Sequence, residues 1–249
     1  MAMESKSSSS LIMLGEATAS CWSCGTMRAV HFCSSCGKVQ PPRPVDYFTF
    51  FALPRKLNVD VAMLEREFYL LSRKLHPDLY SGADRREQEW SLEQSSQLND
   101  AYRTLKDPIK RTEYLLRLEG VELEEQSKSA TEAARASGQV KKQVVPPDLL
   151  EEVFDLNLQL EELRMQKKMG EDAPGLIEEV GRQKLELEEK YEALLDELKK
   201  EWAAWDQAVD TGTETDRVKI RDKMVDVLNR RNYIRNLVRD VSEVLESGS

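Results

Sequence analysis

Glycine and histidine are scarce in this 249-residue chain, at 11 and 2 copies, and aromatic residues make up only 7% of it. With so little glycine there is no Gly-rich run of the kind that cradles phosphate. Two histidines, and no serine or cysteine in a nucleophile elbow, leave few parts for hydrolytic catalysis. The low aromatic share, set beside 33% charged residues, favours helices around a thin core over a large sheet. An excess of positive charge is missing as well. A formal charge of −9 speaks against general binding to nucleic acid, which needs a basic surface for the phosphates. No apolar stretch approaches the ~20 residues that cross a membrane. There is no arginine before Arg28, while Glu4 and Glu16 are present, so the Ser-rich N-terminus lacks the composition of a mitochondrial presequence. Leu11 to Leu14 is too short an apolar run for a secretory core. Residues 1–18 read as a disordered tail and the protein as cytoplasmic. The mitochondrial matrix is the alternative if the source is eukaryotic and the N-terminus is processed.

What is present begins with cysteine. All 4 cysteines fall in two Cys-x-x-Cys-Gly turns, Cys21/Cys24 and Cys33/Cys36, followed by Gly25 and Gly37. Such turns bring two sulfurs to one ion, and the glycine lets the backbone bend so that its N–H groups face the thiolates. Four thiolates make a closed tetrahedral zinc site, structural because no position remains for a substrate. Disulfides are disfavoured in the cytosol, and a redox pair would want a strand–helix context. His31 lies between the pairs and reads as a bystander, since the four sulfurs already fill the shell. Residues 19–40 are expected as a small zinc-ribbon-like module, and in zinc-finger peptides metal binding supplies roughly 10–16 kcal/mol of folding free energy.

Pro41 to Pro44 reads as a stiff linker, and a helical domain is expected over 45–120. It opens with a short aromatic helix from Asp46, ended by Pro54. Val61, Leu64, Phe68, Leu71 and Leu75 then recur at steps of three and four, one face of a helix capped by Asn58 or Asp60. Pro77 disfavours helical geometry in the residue before it, so this helix ends near His76. That exposes His76, Pro77 and Asp78 at its end, with Arg66, Arg73 and Lys74 turned away from the apolar face. A third helix is expected from about Asp84 to Lys106, with Leu92, Ser95, Leu98, Tyr102 and Leu105 on one face. Asp107 and Pro108 restart a fourth as N-cap and first residue, carrying Tyr114, Leu115 and Leu118 and closing at Gly120.

Residues 121–146 lose periodicity and read as a flexible linker. Residues 147–246 read as three antiparallel helices with short turns. Their seams are Leu149, Val153, Leu156, Leu160 and Leu163; then a run from Ile177 to Val209 that includes Trp202 and Trp205; then a run from Ile220 to Leu245. Leu150 and Phe154, flanked by Glu151 and Asp155, stand beside the first seam, as Tyr233 and Leu237 stand beside the third. A second apolar row is either a partner surface or a wide stripe packed deep in the bundle; the pattern leaves both open. The fold class expected is all-α.

Asp46-Tyr47-Phe48, the basic-faced helix, His76-Pro77-Asp78, the stretch from Asn99 to Leu105, Asp107-Pro108 and the stretch from Arg111 to Leu116 stand in an order and spacing that resembles a J-domain of the HscB (Jac) type, the co-chaperones of iron–sulfur cluster assembly. A C-terminal three-helix domain and an N-terminal tetracysteine module fit the same family. The resemblance implies that His76, Pro77 and Asp78, with Arg66, Arg73 and Lys74, dock on an HscA or DnaK-type ATPase chaperone and stimulate it. The catalysis belongs to that partner, so the chain is not itself an enzyme. It implies also that the C-terminal domain carries the scaffold protein IscU through Leu150, Phe154, Asp155 and Tyr233. Two departures stand out: Glu151 occupies a position that is often apolar in the family, and the linker is longer than in compact members. The alternative is a generic J-protein whose C-terminal helices bind other clients or associate weakly with each other. No nucleic acid and no membrane is expected among the partners.

Overall fold

The computed structural model describes residues 20–27, 30–121 and 145–246. The expected tail over 1–18, and all but the ends of the expected linker, lie outside them. Among the described residues there are seven α-helices and no strand, only a single antiparallel bridge between Phe32 and Val39. The chain folds as two compact units, Met1–Arg111 and Thr112–Ser249.

In the first unit the helices are α1 (Tyr47–Phe50), α2 (Val61–Leu75) and α3 (Arg85–Lys106), with a 3-10 turn over Pro77–Tyr80. Each helix start is fixed by an aspartate that takes up orphaned N–H groups. Asp46 accepts from the Thr49 amide at 3.0 Å, Asp60 from Met63 at 3.0 Å and Asp84 from Arg86 at 3.0 Å. Such caps contribute about 1 kcal/mol each. Of the two cap candidates for α2, Asp60 is therefore the one used. Asp107 does the same for α4 (Pro108–Leu118), accepting from the Ile109 and Lys110 amides at 2.9 Å.

α2 and α3 form an antiparallel hairpin. Its core is Leu64, Leu71 and Leu75 against Leu98, Ala101 and Leu105, closed from below by Phe48 and Phe50. Phe68 stacks on Tyr102 at 4.1 Å between ring centroids. Leu92, expected on the buried face of α3, is 63% exposed. That face is instead taken by polar side chains, Glu87, Ser91 and Gln94, all buried.

The second unit contains the end of α4 and α5 (Leu150–Met169), α6 (Pro174–Thr211) and α7 (Glu214–Glu246). Gly170, with φ +72°, ends α5 in the left-handed conformation that glycine adopts without steric cost. The Lys167 ammonium donates to the carbonyls of Val244 and Leu245, at 2.7 and 3.0 Å, and so ties the end of α5 to the end of α7. α6 and α7 run antiparallel along their length, with the Arg231 guanidinium 3.9 Å from the Tyr191 ring centroid and Lys223 paired with Glu201 at 3.8 Å. The Trp202 indole donates to the Thr112 hydroxyl at 3.0 Å. Beside it Trp205 is buried to 1% exposure, and its replacement by alanine is expected to cost about 3–5 kcal/mol, read as a lower denaturant midpoint at unchanged slope.

The seam of α5 is buried as expected, but Ile177 on α6 is 42% exposed. Tyr233 and Leu237, read as lying beside the seam of α7, are buried at 8% and 7% exposure. α7 packs against both α5 and α6. A helix with two neighbours needs a wider apolar stripe than a coiled-coil seam.

Candidate functional site

The four cysteine sulfurs lie within 4.8 Å of one another. The two Cys-x-x-Cys turns are built alike. Gly25 and Gly37 have φ +74° and +71°, and their amides return to the Cys21 and Cys33 carbonyls at 2.9 Å. The Ser23 and Ser35 amides point at the Cys21 and Cys33 sulfurs, at 3.3 and 3.4 Å. A tetrahedral ion with metal–sulfur bonds of ~2.3 Å spaces its ligands about 3.8 Å apart. The pairs Cys21–Cys36 and Cys24–Cys33 stand at 3.7 and 3.5 Å, so the residues present fit a metal ion.

Their ionisation agrees. Burial pushes the Cys21 thiol up, but the Cys24 and Ser23 amides outweigh it and hold it at about 6. The Thr26 hydroxyl lowers Cys24. The Lys38 amide favours the Cys36 thiolate, yet burial and the neighbouring sulfurs together raise that thiol to about 11. Sulfurs this close repel one another as thiolates, and a bound cation lets all four ionise. His31 is not among the ligands. Its Nδ1 meets the Gln94 side-chain oxygen at 2.8 Å and its Nε2 the Phe50 carbonyl at 3.0 Å, so it anchors the module to α3 and α1.

His76 caps the 3-10 turn that follows α2. Its Nδ1 accepts from the Asp78 amide at 3.3 Å, and the Leu79 amide donates to the His76 carbonyl at 3.0 Å. The Asp78 side chain is 89% exposed and the His76 side chain 55%, so the imidazole and the carboxylate are both presented outward. Three hydrogen bonds fix the base of the turn. Ser91 and Ser95 on α3 both donate to the Leu75 carbonyl at 2.7 Å, and the Tyr80 hydroxyl donates to the Lys74 carbonyl at 2.9 Å. Arg66, Arg73 and Lys74 are exposed on α2, with the Lys74 ammonium 6.0 Å from the Phe32 ring centroid. The structure thus brings the tripeptide and the three cations onto one element and its end.

In the second unit Leu150 and Phe154 are 58% and 63% exposed, Asp155 is exposed, and the row continues to Leu158 at 52%. Tyr233 is not exposed with them. Leu158 was missed by sequence reading, although its spacing of four from Phe154 places it on the same stripe. Also missed were Glu87, Ser91 and Gln94, whose polar spacing along α3 reads as a solvent face.

No family model matches the chain. It is 37% identical over 116 residues to the iron–sulfur cluster co-chaperone protein HscB homolog of Arabidopsis thaliana, covering 46% of each. It is 40% identical over 111 residues to mouse HscB, covering 42% of this chain and 47% of that one. It is 42% identical over 79 residues to the HscB homolog of Vibrio cholerae, covering 32% and 46%. The crystal structure of human HscB superposes with a TM-score of 0.59, over 90% of this chain and 97% of that one, at 24% identity. This chain resembles the HscB co-chaperones. The aligned part spans about half the length of the curated relatives, 46–47% of each. The likeness to human HscB extends further, and at that identity it is a likeness of fold. The HscB-like architecture accounts for the order of elements seen here: a helical hairpin with an exposed turn, then a three-helix unit. Among the described residues no helix is long and apolar enough to cross a membrane.

Proposed function

We propose that this chain is a co-chaperone of iron–sulfur cluster assembly, which docks on an HscA or DnaK-type ATPase chaperone and brings an IscU-type scaffold protein to it. The observation that carries this reading is the outward presentation of His76 and Asp78 on a braced turn beside Arg66, Arg73 and Lys74. It is supported by relatives whose names give an iron–sulfur co-chaperone. An exposed carboxylate meets a partner arginine, and a basic helix face meets an acidic surface; such matching sets orientation and encounter rate more than raw affinity. The turnover of ATP belongs to the partner. Leu150, Phe154 and Asp155 form the scaffold contact, extended by Leu158. Tyr233, buried at 8% exposure, is left out of that contact. Zinc is the ion for Cys21, Cys24, Cys33 and Cys36, because four sulfurs in a closed tetrahedral set suit it. The compartment is the cytoplasm, or the mitochondrial matrix for a processed eukaryotic chain.

The test is the steady-state ATPase rate of such a chaperone with this protein, with and without the scaffold. The two additions together are expected to raise the rate well beyond either alone. Stimulation to which the scaffold adds nothing would mean a different cargo. The substitution Phe154→Asp is expected to weaken scaffold binding by about 2 kcal/mol or more, a ~30-fold loss, as for a central contact of an interface. Stimulation without scaffold is expected to stay at the level of the unsubstituted chain.

A further inference from the structure

One stripe of α3 is polar and yet buried, and the chaperone contact does not use it. Glu87, Ser91 and Gln94 lie at steps of four and three, so they share a face of the helix, and half-buried Trp90, three residues after Glu87 and four before Gln94, lies beside them. That face grips two things at once.

Toward the cysteine module, buried Glu87 pairs with Lys38 at 2.8 Å. Gln94 donates to the Gln40 carbonyl at 2.6 Å and meets His31 at 2.8 Å. Trp90 packs edge-on against Trp22 at 5.5 Å between centroids. Lys38 and Gln40 follow the second Cys-x-x-Cys turn directly, and Gln40 also reaches the Lys38 carbonyl at 2.7 Å and the Cys21 sulfur at 3.5 Å. Toward α2, Ser91 holds the carbonyl of Leu75, the residue before His76. From the module side Phe32 lies under the Lys74 ammonium, one residue further back.

We infer that the four-cysteine module is a brace for the His76-Pro77-Asp78 turn, so that a metal ion bound by Cys21, Cys24, Cys33 and Cys36 holds that turn in place through Glu87, Trp90, Ser91 and Gln94. A small module with four sulfurs and little apolar core depends on its ion for its own shape. Binding energy that favours one arrangement of the module also favours whatever packs on that arrangement. Without the module, Glu87 loses its cation and Gln94 loses both partners. The stripe then hydrates, and the end of α2 loses its fixed support. Glu87, Trp90, Ser91 and Gln94 are positioning residues in this arrangement. The consequence for chaperone stimulation rests on the proposed function; the effect on the turn does not.

The test is amide hydrogen exchange on the full chain, zinc-loaded and after chelation, followed at residues 78–83. Four amides there are held by bonds of the turn itself: Asp78 to the His76 ring, Leu79 to the His76 carbonyl, Ser81 to the Asp78 carbonyl and Ala83 to the Tyr80 carbonyl. Chelation is expected to make these amides exchange roughly tenfold faster, with the middle of α2 unchanged. The substitution Gln94→Leu, which leaves all four sulfurs in place, is expected to reproduce part of that effect with zinc still bound. If this variant does not fold, Lys38→Met, at a half-exposed position, decides the matter in the same way. Unchanged exchange at 78–83 in the chelated chain and the variants would overturn the inference. So would loss of protection throughout α2 and α3 on chelation, since the ion would then support the whole unit rather than the turn. A zinc-loaded chain that stimulates no chaperone would defeat the proposed function and leave the exchange result standing.

Discussion

Replacing His76 with glutamine is expected to abolish stimulation of the chaperone ATPase while the helices stay intact. Inside the protein the imidazole meets its own turn, where Nδ1 accepts from the Asp78 amide at 3.3 Å and lies 3.5 Å from the Asp78 carboxylate, and a glutamine oxygen can accept from that amide too. What the substitution removes is the outward edge of the ring. Hot-spot residues near the centre of an interface carry about 2 kcal/mol or more, so docking is expected to weaken on the order of 30-fold, too weak to stimulate at ordinary concentrations. Circular dichroism should be unaltered, and Asp78→Asn should lose stimulation as well. A His76→Gln variant that stimulates as well as the unsubstituted chain would show that the tripeptide is only a turn.

Loss of the metal ion is expected to have a comparably large effect, confined to the cysteine module and the turn it braces. Cys33 is buried at 2% exposure, and serine in its place offers no soft ligand. The Cys33→Ser variant is expected to bind no zinc at neutral pH, so that the cysteine module loses its fixed shape while α2 and α3 stay folded. Proteolysis should then cut within residues 20–40. Acid should act in the same direction. Each ligand must give up its proton to bind, and Cys36, raised to about 11, holds its proton most firmly. Zinc occupancy therefore falls as pH falls. Metal analysis of the purified variant checks the first expectation and a pH titration of occupancy the second. One zinc per chain in the Cys33→Ser protein would rule out the four-sulfur site.

Features that depend on a few neighbouring residues are legible in the sequence alone. Cys-x-x-Cys-Gly closes on itself within five residues, Pro77 stops α2 by its own ring, and the caps at Asp46, Asp60, Asp84 and Asp107 act within three residues of the helix they start. The polar packing between distant segments is not legible in the same way. His31 and Gln94 are 63 positions apart, and Lys38 and Glu87 are 49. Nothing in either segment distinguishes a glutamine that will be buried against a histidine from one that faces water. The exposure of Leu92 and the burial of Tyr233 have the same origin. Periodicity reports how many apolar residues share a face, but which face meets a neighbour depends on how many neighbours arrive. On α3 the cysteine module took a polar face, and on α7 two helices took a wide one.

The outer side of α5 bears on how the protein behaves in solution. Leu150, Phe154, Leu158, Met165 and Met169 are all more than half exposed, and at ~100° per residue they fall within about 100° of arc, roughly opposite the buried seam. The helix is thus apolar on two sides, and among the described residues only one side is covered. Glu151 and Glu162 edge the open side, Glu161 lies within it, and the whole chain carries a formal charge of −9. At low ionic strength that charge keeps copies apart. Salt shortens its reach, from ~30 Å at 0.01 M to ~3 Å at 1 M, and leaves the apolar contact untouched. The balance between repulsion and stickiness is therefore set by the buffer, and concentrated stocks keep best at low salt, until something apolar lies along α5.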